Sequence, residues 1–326
     1  VSTPEVPVPT LVGQSVVVEP DAVRILDRRV FPFERTWVTC RSVEDVAKAI
    51  EDMVTQSLGP PFAAAGGMVL AARSGGLDAV REAARRLVAT RPTNNGIRDV
   101  VASLLEVAEA GGDVERAAAE LAERYRAGFR ALGEHAAPLI PDGATVLTHC
   151  WADAYLTETV AAVLRAGKRI QAICTETRPY LQGARLTAES LAEMGVPTRL
   201  ITDGMAAHLM SRGEVTTFVT GADRVTMDGA VVNKIGTLQL AVAAQAFGVP
   251  FVALVQAPDR QAATADDVEL ENRDGDEVLH CLGRRTASSR VTGVYPAFDV
   301  TPPRFVSVVV TDRGRFAPAD VGSYFS

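Results

Sequence analysis

The 326-residue sequence predicts an α/β protein in two parts. A mostly helical N-terminal domain with a small β-sheet at its start is expected over residues 1–135, and a parallel-sheet domain over residues 136–326. Two observations predict this. Up to Leu132, apolar residues recur at helical spacing in long runs punctuated by Gly and Pro. From Pro138 onward, short β-branched runs alternate with helical patterns, the order expected of a parallel sheet with helices on both faces.

Taken in order, residues 1–14 carry three prolines and read as an extended arm. Residues 15–18 and 22–26 read as short strands around Glu19-Pro20-Asp21, and residues 36–39 as a third. Ser42 caps a helix with Glu44 and Asp45 in its first turn and Val43, Val46, Ala47, Ile50 and Met53 on one face. Gly59-Pro60-Pro61 is read as its break. Helices follow over residues 63–73, 77–89, 96–110 and 113–132. In the second part, strands are expected over residues 144–148, 169–174, 198–202, 216–220, 251–255 and 305–311. Helices are expected over residues 157–166, 184–194, 205–212 and 235–247. Residues 259–290 are polar and irregular, read as loop and short helix.

The composition excludes several functions. The net charge of −7 argues against nucleic acid or an anionic membrane as partner. No apolar run reaches the roughly 18 residues of a membrane span, and the N-terminus lacks the pattern of a signal peptide. Four cysteines without a CxxC and four scattered histidines give no metal spacing, so reduced thiols and a cytoplasmic location are expected. Neither GxGxxG nor a Walker sequence is present, so no dinucleotide or P-loop site, and no cofactor or metal, is expected.

Polar residues cluster where the expected strands end. Cys150 follows the first strand, Thr175-Glu176-Thr177-Arg178 with Gln182 the second, Asp203 the third and Asp223 the fourth. Parallel sheets bind ligands at the carboxyl ends of their strands, so these groups should meet in one crevice. Between two strands, residues 215–255 read as strand, loop, helix, strand. Asn233 is the expected N-cap of that helix, and Lys234 adds a charge to a helix terminus that favours anions. An acid beside an anion site suggests a phosphorylated metabolite, although a capped helix with a turn aspartate has the same pattern. Each group has a plainer reading. A lone cysteine such as Cys150 is most often an inert small hydrophobe. Asp223 either stabilises its turn, pairs with Arg224, or sits as a raised-pKa acid suited to proton donation. Of Arg178 and Arg185, one is expected to hold its loop, and either could reach a phosphate. Arg91, before Pro92-Thr93, is a second phosphate clamp or a solvated loop charge. Cys40, Cys174 and Cys281 read as structural, and His208 and His280 as surface or interface residues.

Four motifs carry a family resemblance: ETRPYLQGARLTAESL (residues 176–191), ITDGMAAHLM (201–210), GADRVTMDGAVVNKIGT (221–237) and YPAFDVTP (295–302). The sequence resembles the methylthioribose-1-phosphate isomerase family. That family is related to ribose-1,5-bisphosphate isomerase and to the regulatory α, β and δ subunits of the translation initiation guanine-exchange factor. Residues 26–53 and Arg91-Pro92-Thr93 extend the likeness through the first domain. The resemblance implies a helical domain followed by a Rossmann-like domain, usually as a homodimer, and an aldose–ketose isomerase of a 5-substituted ribose 1-phosphate within methionine salvage. It places Cys150 and Asp223 at the catalytic positions, and Arg91, Gln182, Asn233 and Lys234 at the substrate-binding ones.

Two departures stand against it. Gln56, in QSLGPPF (residues 56–62), replaces a family arginine that holds substrate, and a charged hydrogen bond of that kind contributes roughly 1.5–3 kcal/mol. After Cys150 the sequence runs Trp151-Ala152-Asp153, with Tyr155 close by, where the family has Asn, a small residue and Gly. These changes are expected to reshape the pocket and to favour an apolar C5 substituent over a second phosphate. The alternatives left open are an isomerase of 5-deoxyribose 1-phosphate or ribose 1,5-bisphosphate, and a non-catalytic sugar-phosphate-sensing scaffold.

Overall fold

The computed structural model describes residues 5–91 and 94–326, which divide into two compact units: Thr10–Ala127, and residues 5–9 with Gly128–Ser326. Pro92 and Thr93 of the RPT motif lie outside the described residues.

The first unit begins with a short helix, α1 (Thr10–Gly13), and an antiparallel sheet of β1 (Val16–Val18), β2 (Val23–Leu26) and β3 (Trp37–Cys40). Helix α2 (Val43–Glu51) starts where the sequence places it. The Ser42 hydroxyl accepts from Asp45 N, and the Asp45 carboxylate accepts from Ser42 N, satisfying two otherwise orphaned amides. Gly59-Pro60-Pro61 does not break α2, which has already ended at Glu51. It opens α3 (Gly59–Thr90), because proline fits the first helical turn, where no N–H is required. Helical geometry lapses at Gly75 and Gly76, so the two helices expected here lie end to end. Asn94 caps α4 (Asn95–Glu109), and α5 (Val114–Ala136) runs four residues past the expected end at Leu132. Val23, Ile25, Ile50, Met68, Leu87, Ile97 and Leu104 share one core. Each such buried side chain stabilises the fold by about 1.5–3 kcal/mol.

In the second unit β4 (Ala144–Thr148), α6 (Asp153–Arg165), β5 (Ile170–Thr175), α7 (Ala188–Glu193), β6 (Thr198–Ile201), α8 (Ala206–Ser211) and β7 (Thr217–Gly221) alternate. Next come β8 (Arg224–Val225), β9 (Val231–Lys234), α9 (Thr237–Ala246) and β10 (Phe251–Leu254). Then follow β11 (Asn272–Arg273), β12 (His280–Cys281), β13 (Arg284–Arg285), β14 (Tyr295–Pro296), β15 (Phe298–Thr301), β16 (Val308–Thr311) and β17 (Gly314–Phe316).

The main sheet has the order β17-β16-β10-β7-β4-β5-β6 and is parallel except for β17. Neighbouring residues of β4 face opposite ways. Val146 packs with Leu156, Val160 and Val163 of α6 and Leu191 of α7. Leu147 packs with Met210 of α8 and Leu240, Ala241 and Ala244 of α9. Burial on both faces is why the central strands β4, β7 and β10 read as β-branched and apolar runs without charge. The chain winds outward from β4 through β5 to β6, returns to β7 on the other side of β4, then continues to β10 and β16. The order therefore reverses between β4 and β7, and a parallel sheet opens a crevice at such a point.

Between β5 and α7, residues Gly183–Thr187 form a wide π-helical turn against the end of β5. A Cβ on Gly183 would lie 1.9 Å from the Thr175 carbonyl oxygen and 2.8 Å from Thr177 Oγ1. Gly183→Ala should therefore cost about 1–3 kcal/mol as an overpacked site. A denaturation midpoint equal to that of the parent would show that the turn can withdraw without loss.

Candidate active site at the carboxyl ends of β4 and β7

The sequence reading places a helix start at Asn233, and the structure corrects it. Asn233 and Lys234 are the last residues of strand β9, which pairs antiparallel with β15 so that Asp299 faces Asn233 and Phe298 faces Lys234. Helix α9 starts at Thr237, capped by Gly236 at φ 104°. Its terminal amides are not open to a ligand. Gly236 N donates to Asp299 Oδ2 at 2.7 Å, and Leu238 N donates to Asp299 Oδ1 at 3.1 Å. The anion-binding role read for this terminus is filled by the protein's own carboxylate, whose pKa burial pushes up to about 6 against the lowering effect of those two amides. Asn233 is an internal tie instead: its Nδ2 donates to Thr237 Oγ1 at 2.9 Å and to Thr220 Oγ1 at 3.4 Å.

Lys234 keeps its charge for something else. It is 8% exposed, and its ammonium lies 4.5 Å from the centre of the Phe298 ring and 5.9 Å from that of Tyr295. Ring faces offset part of the desolvation of a cation, but no carboxylate among the described residues pairs with it. Cys150 and Asp223 share this condition. They leave β4 and β7, the two strands of the switch point; neither side chain is in an ion pair among the described residues, and the Cys150 sulfur is approached by the Trp151 backbone N–H. The option that Asp223 pairs with Arg224 fails, because Arg224 pairs with Asp259. Gln182, in the loop after β5, is 6% exposed, and its Oε1 is sealed from solvent with no partner among the described residues.

Electrostatics tie these groups together. Burial pushes the half-buried Cys150 thiol up to about 11. Lys234 draws it down, while the Asp223 and Asp203 charges oppose ionisation. Asp223 is reached by solvent, yet desolvation by the surrounding protein raises its carboxyl above the usual range, with Lys234 opposing and Glu271 adding to the rise. Solvent access combined with desolvation is what a group lining an open cavity experiences. The arrangement is a carboxyl that gives up its proton less readily than usual, a neutral thiol and one buried lysine.

Other predicted residues have different work. Asp203 accepts from Thr177 N and Arg178 N, both at 2.8 Å, and so holds the loop after β5. Arg178 donates to the carbonyls of Val278 and His280, and Arg185 to that of Tyr180 while stacking on the Tyr180 ring. Both arginines are engaged in building the loop that carries Gln182. In the first unit, Arg91 donates to the Ile50 carbonyl and contacts Met53 Sδ, which replaces the solvated-charge reading. Gln56 there is buried with Nε2 unpartnered, and its carbonyl accepts from Arg28.

The residues after Cys150 add no loose charge. Trp151 is 6% exposed and donates its indole N–H to Asp153, which is itself buried, and Tyr155 meets the Phe129 ring edge-on. Sequence reasoning missed Tyr295 and Phe298, although YPAFDVTP contains both. It placed Thr175 and Thr177 in the strand-end cluster but missed His149 and the hydroxyls of Thr187 and Thr220; together these hold the backbone on both sides of Cys150.

A buried thiol with a raised pKa should be slow to alkylate at neutral pH. We expect the site-resolved rate of Cys150 with iodoacetamide to keep rising through pH 10, whereas an ordinary thiol levels off above about 8.5. A plateau near pH 8 would contradict the environment described.

The profile of the Initiation factor 2 subunit family matches residues 47–318 of this chain. A methylthioribose-1-phosphate isomerase of Anaeromyxobacter dehalogenans is 41% identical over 310 residues, 90% of each chain. Among solved structures, the 5-methylthioribose 1-phosphate isomerase of Pyrococcus horikoshii OT3 is similar with a TM-score of 0.88 and 31% identity, over 95% of this chain and 94% of that one. The delta subunit of translation initiation factor eIF-2B from A. fulgidus is similar with a TM-score of 0.83 and 34% identity, over 93% and 96%.

Proposed function

The chain belongs to the Initiation factor 2 subunit family, and on that premise we propose that it is an aldose–ketose isomerase converting 5-methylthioribose 1-phosphate to 5-methylthioribulose 1-phosphate. The observation that carries this reading is the meeting of Asp223, Cys150 and Lys234 at the β4/β7 switch point, none of them in an ion pair among the described residues. The identity to isomerases across nine-tenths of the chain supports it.

The chemistry follows from the substrate class. A phosphate on C1 locks the sugar as a ring, so the ring oxygen must be released before C1 and C2 can exchange oxidation state. Asp223, held protonated, donates to that oxygen. Cys150, a neutral thiol at rest, then serves the C1–C2 hydrogen shift, either as a proton shuttle once Asp223 has become a carboxylate or as an apolar guard for hydride transfer. Lys234 binds the phosphate with Gln182, and Asn233 holds the turn beside it. Arg91 is proposed as a further phosphate ligand on the family resemblance alone. The reaction as written needs no cofactor. The homodimer and a cytoplasmic location remain part of the proposal; what the structure adds is that no described helix is long and apolar enough to cross a membrane.

One buried lysine suits one phosphate. Gln56 supplies no charge where the family has arginine, and a second buried phosphate dianion without partners is strongly disfavoured. The 5-thioether or 5-deoxy sugar should therefore be preferred over ribose 1,5-bisphosphate.

A turnover assay of the parent, Cys150→Ser and Asp223→Asn on both substrate types tests the reading. We expect each variant to lose at least about a hundredfold in kcat, with both still folded. Because its raised pKa is a cost that grows as pH climbs through that value, Asp223→Asn should melt no lower than the parent at pH 8. A bisphosphate preference of about tenfold or more in kcat/KM would overturn the substrate assignment. A parent that turns over neither sugar would favour a binding role, like that of the eIF-2B subunits it resembles.

A further inference from the structure

His149 is 2% exposed and lies between the two halves of the site. Its Nε2 is 2.9 Å from the Ile235 carbonyl oxygen, which can only accept, so this nitrogen carries the proton. Burial lowers the pKa of the ring, with Lys234 also opposing protonation, the Ile235 carbonyl and Asp203 favouring it, and desolvation prevailing. The imidazole is therefore neutral, and Nδ1 accepts from Thr175 Oγ1 at 2.7 Å.

The remaining directions are then forced. Thr175 has spent its only proton on His149, so the 3.2 Å contact with Thr177 Oγ1 is a bond donated by Thr177. Thr177 in turn accepts from Cys150 N at 2.9 Å. One ordered chain thus runs from the Cys150 amide through Thr177, Thr175 and His149 to the carbonyl of Ile235, the residue after Lys234. Cys150 sits at φ 62° and Thr177 at φ 60°, backbone shapes unusual for these residues that need holding. At the other end the ring is seated on the turn: a Cβ on Gly236 would come 3.1 Å from His149 Cε1 and 3.2 Å from Nε2.

We infer that His149 is a positioning residue that sets Cys150 and the Lys234 turn in register through its two ring nitrogens, one serving each side. The inference rests on the isomerase reading for its kinetics, and its two links can be cut separately. Gln puts a donor about where Nε2 stands, keeping Ile235 and losing Thr175. Asn puts its amide about where Nδ1 stands, keeping Thr175 and losing Ile235.

His149→Gln should lower kcat roughly ten- to a hundredfold with KM within about twofold, because Cys150 shifts while Lys234 stays. His149→Asn should raise KM about fivefold or more with the smaller loss in kcat. Thr175→Val breaks the chain at its centre without touching the ring and should copy His149→Gln, which covers the case in which a histidine variant fails to fold. The alkylation rate of Cys150 gives an arm that needs no turnover: it should change in His149→Gln and Thr175→Val and stay at the parent value in His149→Asn. Equal effects of Gln and Asn on kcat and KM, or a lower melting temperature with unchanged kinetics and alkylation, would overturn the inference. Absence of turnover in the parent would sink the isomerase reading and leave the alkylation arm to decide this one.

Discussion

A buried ammonium without a carboxylate is the condition on which this site turns. Lys234 is withdrawn from water, rests on the rings of Phe298 and Tyr295, and faces a thiol and a carboxyl that both give up their protons less readily than usual. Burying an unpaired charge is costly, and a fold selected for stability alone would pair it or replace it. The fold here keeps it and builds around it. Strand β9 ends in Lys234 because β15 pairs with it, and Asp299, from the same strand, caps the following helix. That cap removes the helix terminus as a competing anion site and leaves the lysine as the cation to be neutralised.

The weakened acidity of both neighbours has the same origin. Ionised Cys150 or Asp223 would pair with Lys234 and close the site, but desolvation outweighs that attraction for both groups. In the proposed reaction a phosphate would bring the missing negative charge to Lys234, beside a carboxyl and a thiol whose acidity is weakened by desolvation. The switch point between β4 and β7 makes this possible, because two strand ends diverge there and leave room between them.

Much of this was legible in the sequence where the cause is local. The central strands of the parallel sheet, buried on both faces, announced themselves as short β-branched and apolar runs without charge, as in ATVLT and TFVTG. Ser42 and Asp45 announced the cap of α2 because both halves of the box lie within one turn. Cys150, Gln182, Asp203 and Asp223 were found as strand-end residues. What stayed hidden is non-local. The strand character of Asn233 and Lys234 comes from β15, far along the chain, and the cap of α9 comes from Asp299 on that strand. Arg178 looked like a phosphate ligand because the carbonyls it binds, at Val278 and His280, lie in a segment with no pattern of its own. Thr175 and Thr177 stood out only as part of the polar cluster after β5, and Thr220 carried no signal of its own, since a threonine at a strand end is also ordinary β composition.

The most direct test of the account is the thermal melting of the parent and Lys234→Met, each with and without 5-methylthioribose 1-phosphate. Methionine keeps the length of the chain and removes the charge. The account predicts that the variant without ligand melts at or above the parent, because an unpaired buried cation has been removed, and that the ligand-induced rise seen in the parent disappears. A variant that melts lower than the parent and is still stabilised by the sugar phosphate would contradict it.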